Sequence, residues 1–176
     1  MERPATLSLG PSGAVTYDWA SIYGTHAGEL AGYLAKLTGD RDAGLELMQE
    51  TFVHALRAER SIREPAAVRA WLFRTATNLA FNYRRRRALL TFLPFTGAER
   101  AIRGTYDHEA DQVRTALRSV PREQAAALLL FYDSGFKRAE IALLLDVSEE
   151  TVKSRLARGR QSFMAAYRRL ERGLAR

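Results

Sequence analysis

KRAEIALLLDVSEETVKSRLARGR, residues 137–160, reads as two helices joined by a tight turn. Ile141, Ala142 and Leu145 make the inner face of the first helix, and the small Ala142 lets the second helix cross closely. Val147 plugs the turn. Ser148 is a good N-cap, because its side-chain oxygen can accept from the unpaired amides of the next helix. Val152 and Leu156 anchor that second helix against the first. This is the signature of a helix-turn-helix, whose second helix turns its N-terminal side chains to base edges in a major groove and its flanks to phosphates. The outward residues begin with Glu149 and Glu150, which suit the positive end of the helix dipole and can accept from cytosine amino groups. Thr151, Lys153, Ser154 and Arg155 are the base-edge candidates, and Arg158 and Arg160 the phosphate candidates. Asp146 holds the turn position where the motif usually has glycine. Aspartate tolerates the left-handed conformation better than most residues, so the turn survives.

Outward from this motif the chain is helical. Asp111–Val120 is a short helix, Pro121 opens another that runs through Phe131, and Gly135 ends it. The last helix extends from Glu149 to about residue 172. Residues 89–110, with Pro94, Gly97 and Gly104, read as a flexible linker. Its apolar cluster Leu89, Leu90, Phe92, Leu93 and Phe95 is too short for a membrane span. Before it, Trp19, Ile22, Tyr23, Ala27, Leu30, Leu34 and Leu37 fall at three- and four-residue steps, one stripe of a helix that Gly39 stops. Asp40 or Asp42 can cap the next helix, in which Leu45, Met48, Phe52 and Ala55 share a face. A third helix opens near Pro65, with Val68, Trp71, Leu72, Thr75 and Leu79 as its buried stripe. Residues 1–14 read as a flexible tail. The expectation is an all-α chain of two small helical domains, 15–88 and 111–176, joined by the linker.

Composition narrows the function. The 176 residues carry 27 Lys+Arg against 20 Asp+Glu, a net charge of +7, and 47% are hydrophobic. Nearly all of the basic excess is arginine, whose guanidinium suits phosphate and guanine edges. No apolar run reaches the roughly 18–20 residues of a bilayer span, so membrane insertion is not expected. The N-terminus lacks the form of a secretion signal. There are no cysteines, and His26, His54 and His108 are far apart, so neither a metal site nor a cofactor is expected. A reducing, cytoplasmic location follows as the default. Asp42, Glu46 and Glu50 share a helix face, but no phosphate-cradling loop or nucleophile–base pair accompanies them, so an enzyme is not expected.

The third helix carries a second set of nucleic-acid features. Arg69, Phe73, Arg74, Thr77, Asn78 and Phe81 lie off the expected stripe and lead into Arg84, Arg85, Arg86 and Arg87. Aromatic faces stack on unpaired bases at roughly 1–3 kcal/mol each while arginines hold the backbone. This suits opened DNA, with a loop such as Ser61–Glu64 to receive a flipped base. The alternative is that Phe73 and Phe81 belong to a wide core stripe and the arginines are solvated.

GDRDAGLELMQETFVHAL, AWLFRTATNLAFNYRRRR and LRSVPREQAAALLLFYDSGFKRAEIALLLDVSEETVKSRLARGRQSF, in that order, resemble three blocks of the extracytoplasmic-function (ECF) sigma factors of bacterial RNA polymerase. The resemblance covers most of residues 17–170. It implies that the first domain binds the polymerase clamp and melts the minus-ten promoter element, and that the last reads the minus-thirty-five element as duplex DNA. Glu46 and Gln49 match the positions that meet the clamp, on a face shared with Glu50. Trp71, Asn78 and Arg84–Arg87 match the melting helix. Gly44-Leu45-Glu46 stands where the family has Ala-Glu-Asp. The family also implies core polymerase and promoter DNA as partners, with an anti-sigma factor as a common third. An autonomous helix-turn-helix regulator, with residues 15–88 dimerising or sensing a ligand, is the competing reading.

Overall fold

The computed structural model describes residues 7–9, 15–59, 62, 67–91 and 108–174. Strands β1 (Leu7–Leu9) and β2 (Val15–Tyr17) pair antiparallel, with Leu7 opposite Tyr17 and Leu9 opposite Val15. The expected tail of residues 1–14 therefore contributes a strand. Its short Leu-Ser-Leu and the Val-Thr-Tyr partner escape a helical-period reading because three residues are too few to show alternation. The rest is helical: α1 (Trp19–Thr38), α2 (Arg41–Arg57), α3 (Val68–Thr91), α4 (His108–Arg118), α5 (Arg122–Leu128), a π-helical turn (Leu129–Asp133), α6 (Arg138–Leu145) and α7 (Glu149–Leu174). Helix thus occupies residues 89–91 and 108–110, both ends of the stretch read as linker.

Local chemistry sets the boundaries. Asp18 caps α1 through Ser21 N–H at 3.1 Å, and Gly39, at φ 73°, closes it by donating to the Ala35 carbonyl. Asp40, rather than Asp42, caps α2, accepting from the Asp42 and Ala43 amides at 3.1 and 3.2 Å. Burial opposes the charge on Asp40, but those two amides and Arg87, at 2.9 Å, outweigh it and hold the carboxyl below its ordinary range.

Helices α1, α2 and α3 pack on one another, α1 and α2 most extensively. Leu30, Tyr33, Leu34 and Leu37 of α1 and Leu47, Met48, Phe52 and Ala55 of α2 are buried there. Helices α1 and α2 approach so closely that a Cβ on Gly44 would lie 2.7 Å from the Ala35 backbone nitrogen. Tyr23 and Leu45, both expected inside, are exposed, because the buried faces of α1 and α2 centre instead on Tyr33–Leu34 and on Leu47–Met48. In the second half, Ala125, Leu128, Leu130, Ile141, Leu144, Val152 and Leu156 form the core, and it is continuous with that of the first half.

Candidate nucleic-acid interface

The helix-turn-helix has the expected geometry. Helix α6 ends at Asp146, whose φ of 53° makes it the one described non-glycine residue with positive φ. Val147 N–H returns to the Ala142 carbonyl at 3.0 Å, and Thr151 N–H donates to Ser148 Oγ at 3.2 Å, completing the N-cap of α7. Val152 and Leu156 are buried against α6, and Gly159 leaves room for Leu128. This anchoring presents Glu149, Glu150, Lys153, Arg158 and Arg160 to solvent and leaves Thr151, Ser154 and Arg155 half-buried. Lys153 reaches Glu150 at 3.4 Å, Arg158 donates to Ser154 Oγ at 3.0 Å, and Arg160 to the Tyr132 hydroxyl at 3.2 Å. All three bonds are exposed and weak, so these cations can turn to phosphates at small cost.

Helix α3 corrects part of the second reading. Phe73 and Thr77 are core residues, not a stacking surface: they are 0% and 1% exposed. The helix is covered on two sides, so its buried face takes in Val68, Leu72, Phe73, Ala76, Thr77 and Ala80. Two small alanines and a threonine disguise that width in the sequence. Thr77 is tolerated because its hydroxyl donates to the Phe73 carbonyl and meets Tyr33 Oη, both at 2.7 Å. Arg74, Asn78, Asn82, Arg85 and Arg86 are exposed, while Trp71 and Phe81 are half-buried. Arg84 is half-buried as well, 3.4 Å from the Leu37 carbonyl. Burial, with Arg122 nearby, lowers its pKa from the ordinary arginine value. Arg69 is engaged with Glu29 at 2.5 Å and the Ser134 carbonyl at 2.6 Å. The loop offered for a flipped base lies outside the described residues except Ile62, which is buried.

On α2, Glu46, Gln49 and Glu50 are exposed as expected. Beside them lie Leu45, Val53 and Leu56, at 44%, 43% and 52% exposure. Sequence reading missed these as surface residues. The available signal was their spacing, since 45, 49, 53 and 56 follow one helical face.

The two halves enclose a cleft of about 230 Å³. Arg74, Asn78 and Phe81 of α3 face Leu145, Asp146 and Arg155 of the helix-turn-helix across it. Glu123 also lines the cleft; burial raises its pKa, but its bond to Arg122 at 2.7 Å prevails and holds the carboxyl below the ordinary range.

Comparison with known proteins agrees with this architecture. Residues 22–89 match the family model of Sigma-70 region 2, and residues 110–163 that of Sigma-70 region 4. The chain is 31% identical over 140 residues to the ECF RNA polymerase sigma factor EcfG of Rhodopseudomonas palustris, covering 77% of each chain. It is 30% identical over 143 residues to the ECF RNA polymerase sigma factor SigL of Mycobacterium tuberculosis, covering 77% of this chain and 81% of that one. Its fold is similar to the sigma factor RpoE solved in complex with the anti-sigma factor NepR from Bartonella quintana. The TM-score there is 0.70 at 22% identity, over 86% of this chain and 97% of that one. A region-2 match laid over the α1–α3 bundle, followed by a region-4 match laid over the helix-turn-helix, leaves one conclusion: the chain belongs to the ECF sigma factors of RNA polymerase.

Proposed function

We propose that the chain docks on core polymerase through α2 and reads a promoter with α7 and α3. On this reading, Thr151, Lys153, Ser154 and Arg155 meet base edges of the minus-thirty-five duplex, and Arg158 and Arg160 its phosphates. Trp71, Arg74, Asn78, Phe81, Arg84 and Arg85 serve the minus-ten element as it opens. Glu46, Gln49 and Glu50 form the clamp-facing patch together with Leu45, Val53 and Leu56. The chain catalyses nothing itself and works in the cytoplasm beside the polymerase. No described helix is long and apolar enough to cross a membrane. By analogy with the sigma factor solved in complex with NepR, an anti-sigma factor is a further partner.

The exposed face of α2 carries this reading. An autonomous regulator needs a helix-turn-helix and a dimer contact. Three large apolar side chains interleaved with carboxylates and an amide form instead a surface that wants a protein partner of mixed character. The experiment is capture of purified bacterial core polymerase by the full chain and by a Val53→Asp/Leu56→Asp variant, with start-site mapping on genomic template. Capture and discrete start sites for the parent, lost in the variant at unchanged melting temperature, support the proposal. A chain that ignores core polymerase but binds one duplex specifically favours the regulator.

A further inference from the structure

We propose that the cleft between α3 and the helix-turn-helix is a binding site for a free nucleoside monophosphate, its phosphate held between Arg74 and Arg155. The site goes beyond the promoter reading and calls for neither polymerase nor DNA.

The charges come first. Arg74 projects from α3 and Arg155 from α7 into one concavity of about 230 Å³. Other arginines nearby have carboxylate partners: Arg69 holds Glu29, Arg87 holds Asp40 and Arg122 holds Glu123. Arg74 and Arg155 make no hydrogen bond or ion pair among the described residues. Glu123 also lines the cleft, but Arg122 occupies its carboxylate at 2.7 Å, so Arg155 feels that charge only at longer range. Two guanidiniums that converge from different helices, neither bonded to a carboxylate, are the donor set that recognises phosphate. Each offers a planar fork to two of its oxygens.

The rest of the lining fits a nucleoside better than a bare anion. Phe81 and Leu145 are half-buried and offer an aromatic ring and an apolar side chain against which a base can lie. The exposed Asn78 amide both donates and accepts, so it can meet the edge of a purine. Asp146 supplies an acceptor that repels an anion lying beside it. Its carboxylate stands at the C-terminal end of α6, where the helix dipole disfavours negative charge. It makes no hydrogen bond among the described residues. A ribose hydroxyl can donate to it, as to the acidic residue of dinucleotide-binding folds. Size sets the upper limit. The cleft falls below the roughly 300–1,000 Å³ of pockets that enclose drug-sized ligands. It leaves room for one nucleotide partly open to solvent, and none for a duplex whose major groove alone is about 12 Å wide.

Isothermal titration calorimetry on the full chain tests the site, with AMP, GMP, their nucleosides and inorganic phosphate as probes at physiological ionic strength. At least one of the two nucleotides is expected to bind with a Kd below about 1 mM, and the nucleosides and inorganic phosphate at least about tenfold more weakly. Arg74→Ala and Arg155→Lys are each expected to weaken the nucleotide at least about tenfold, the second because lysine keeps the charge and loses the fork. Arg168→Ala removes an exposed charge about 20 Å further along α7 and should leave binding unchanged. Thermal melts establish that each variant is folded. The site is overturned if neither nucleotide binds, or if inorganic phosphate or a nucleoside binds as tightly as the nucleotide. A loss in Arg168→Ala equal to that in the other two variants overturns it as well, since surface charge alone would then account for binding. The titration contains no polymerase, so its failure leaves the promoter reading standing, and failure to capture polymerase leaves the site standing.

Discussion

The hydroxyls of Tyr33 and Thr77 meet 2.7 Å apart inside the first half, joining α1 to α3 where both side chains are essentially shut off from water. Thr77 spends its single proton on the Phe73 carbonyl, so Tyr33 is the donor between them. The two partners are therefore not equivalent. Tyr33→Phe removes one donor and costs about 0.5–1.5 kcal/mol. Thr77→Val strands a buried phenol and costs about 1–3 kcal/mol. Urea unfolding of both variants checks the order, and equal costs would contradict the assignment.

The same pair sets an alkaline limit. Burial pushes the Tyr33 phenol well above its ordinary value of 10.0, more than the bond to Thr77 lowers it. Above pH 10 the unfolded chain releases this proton while the folded chain keeps it, so stability falls as pH rises. The slope approaches about 1.4 kcal/mol per pH unit for one proton. Tyr33→Phe should flatten the difference between pH 9 and pH 11 relative to the parent, as read by denaturant midpoints at each pH.

Two glycines should respond with opposite sign. At Gly44 a Cβ would sit 2.7 Å from the Ala35 backbone nitrogen, so Gly44→Ala must push α1 and α2 apart. A cost of about 1–3 kcal/mol is expected, a fall of roughly 2–4 °C in melting temperature per kcal/mol. Gly32, within α1, has nothing within 4 Å of its Cβ position. Gly32→Ala should gain up to about 1 kcal/mol from helix propensity alone. Thermal melts of the two variants settle the sign.

Asp146 sits in the left-handed region at φ 53°. A β-branched or bulky side chain is strained there, so Asp146→Val should destabilise by about 1–2 kcal/mol. Asp146→Gly should fall within roughly 1 kcal/mol of the parent, because relief of strain offsets the extra freedom of the unfolded chain. Chemical denaturation distinguishes these outcomes.

Much of this was legible. The helix-turn-helix could be read because its determinants are local: Ala142, Val147, Ser148 and Val152 lie within eleven residues. Asp40, Gly39 and Gly135 announced helix ends for the same reason. Phe73 and Thr77 were misplaced because a helix covered on two sides loses the single narrow stripe that periodicity detects. Tyr33 escaped notice likewise, beside Leu34 in a helix packed against both α2 and α3. The packing of the two halves against each other left no local trace. Lys36 and Asp133 are 97 positions apart, and neither type nor spacing marks them as partners.

Phe73 touches Tyr33 on one side and Phe136 on the other, with ring centres 5.1 Å away in both directions. One phenyl ring therefore belongs to two cores. The molecule should therefore absorb heat in a single calorimetric peak, because neither half can loosen without disturbing this ring.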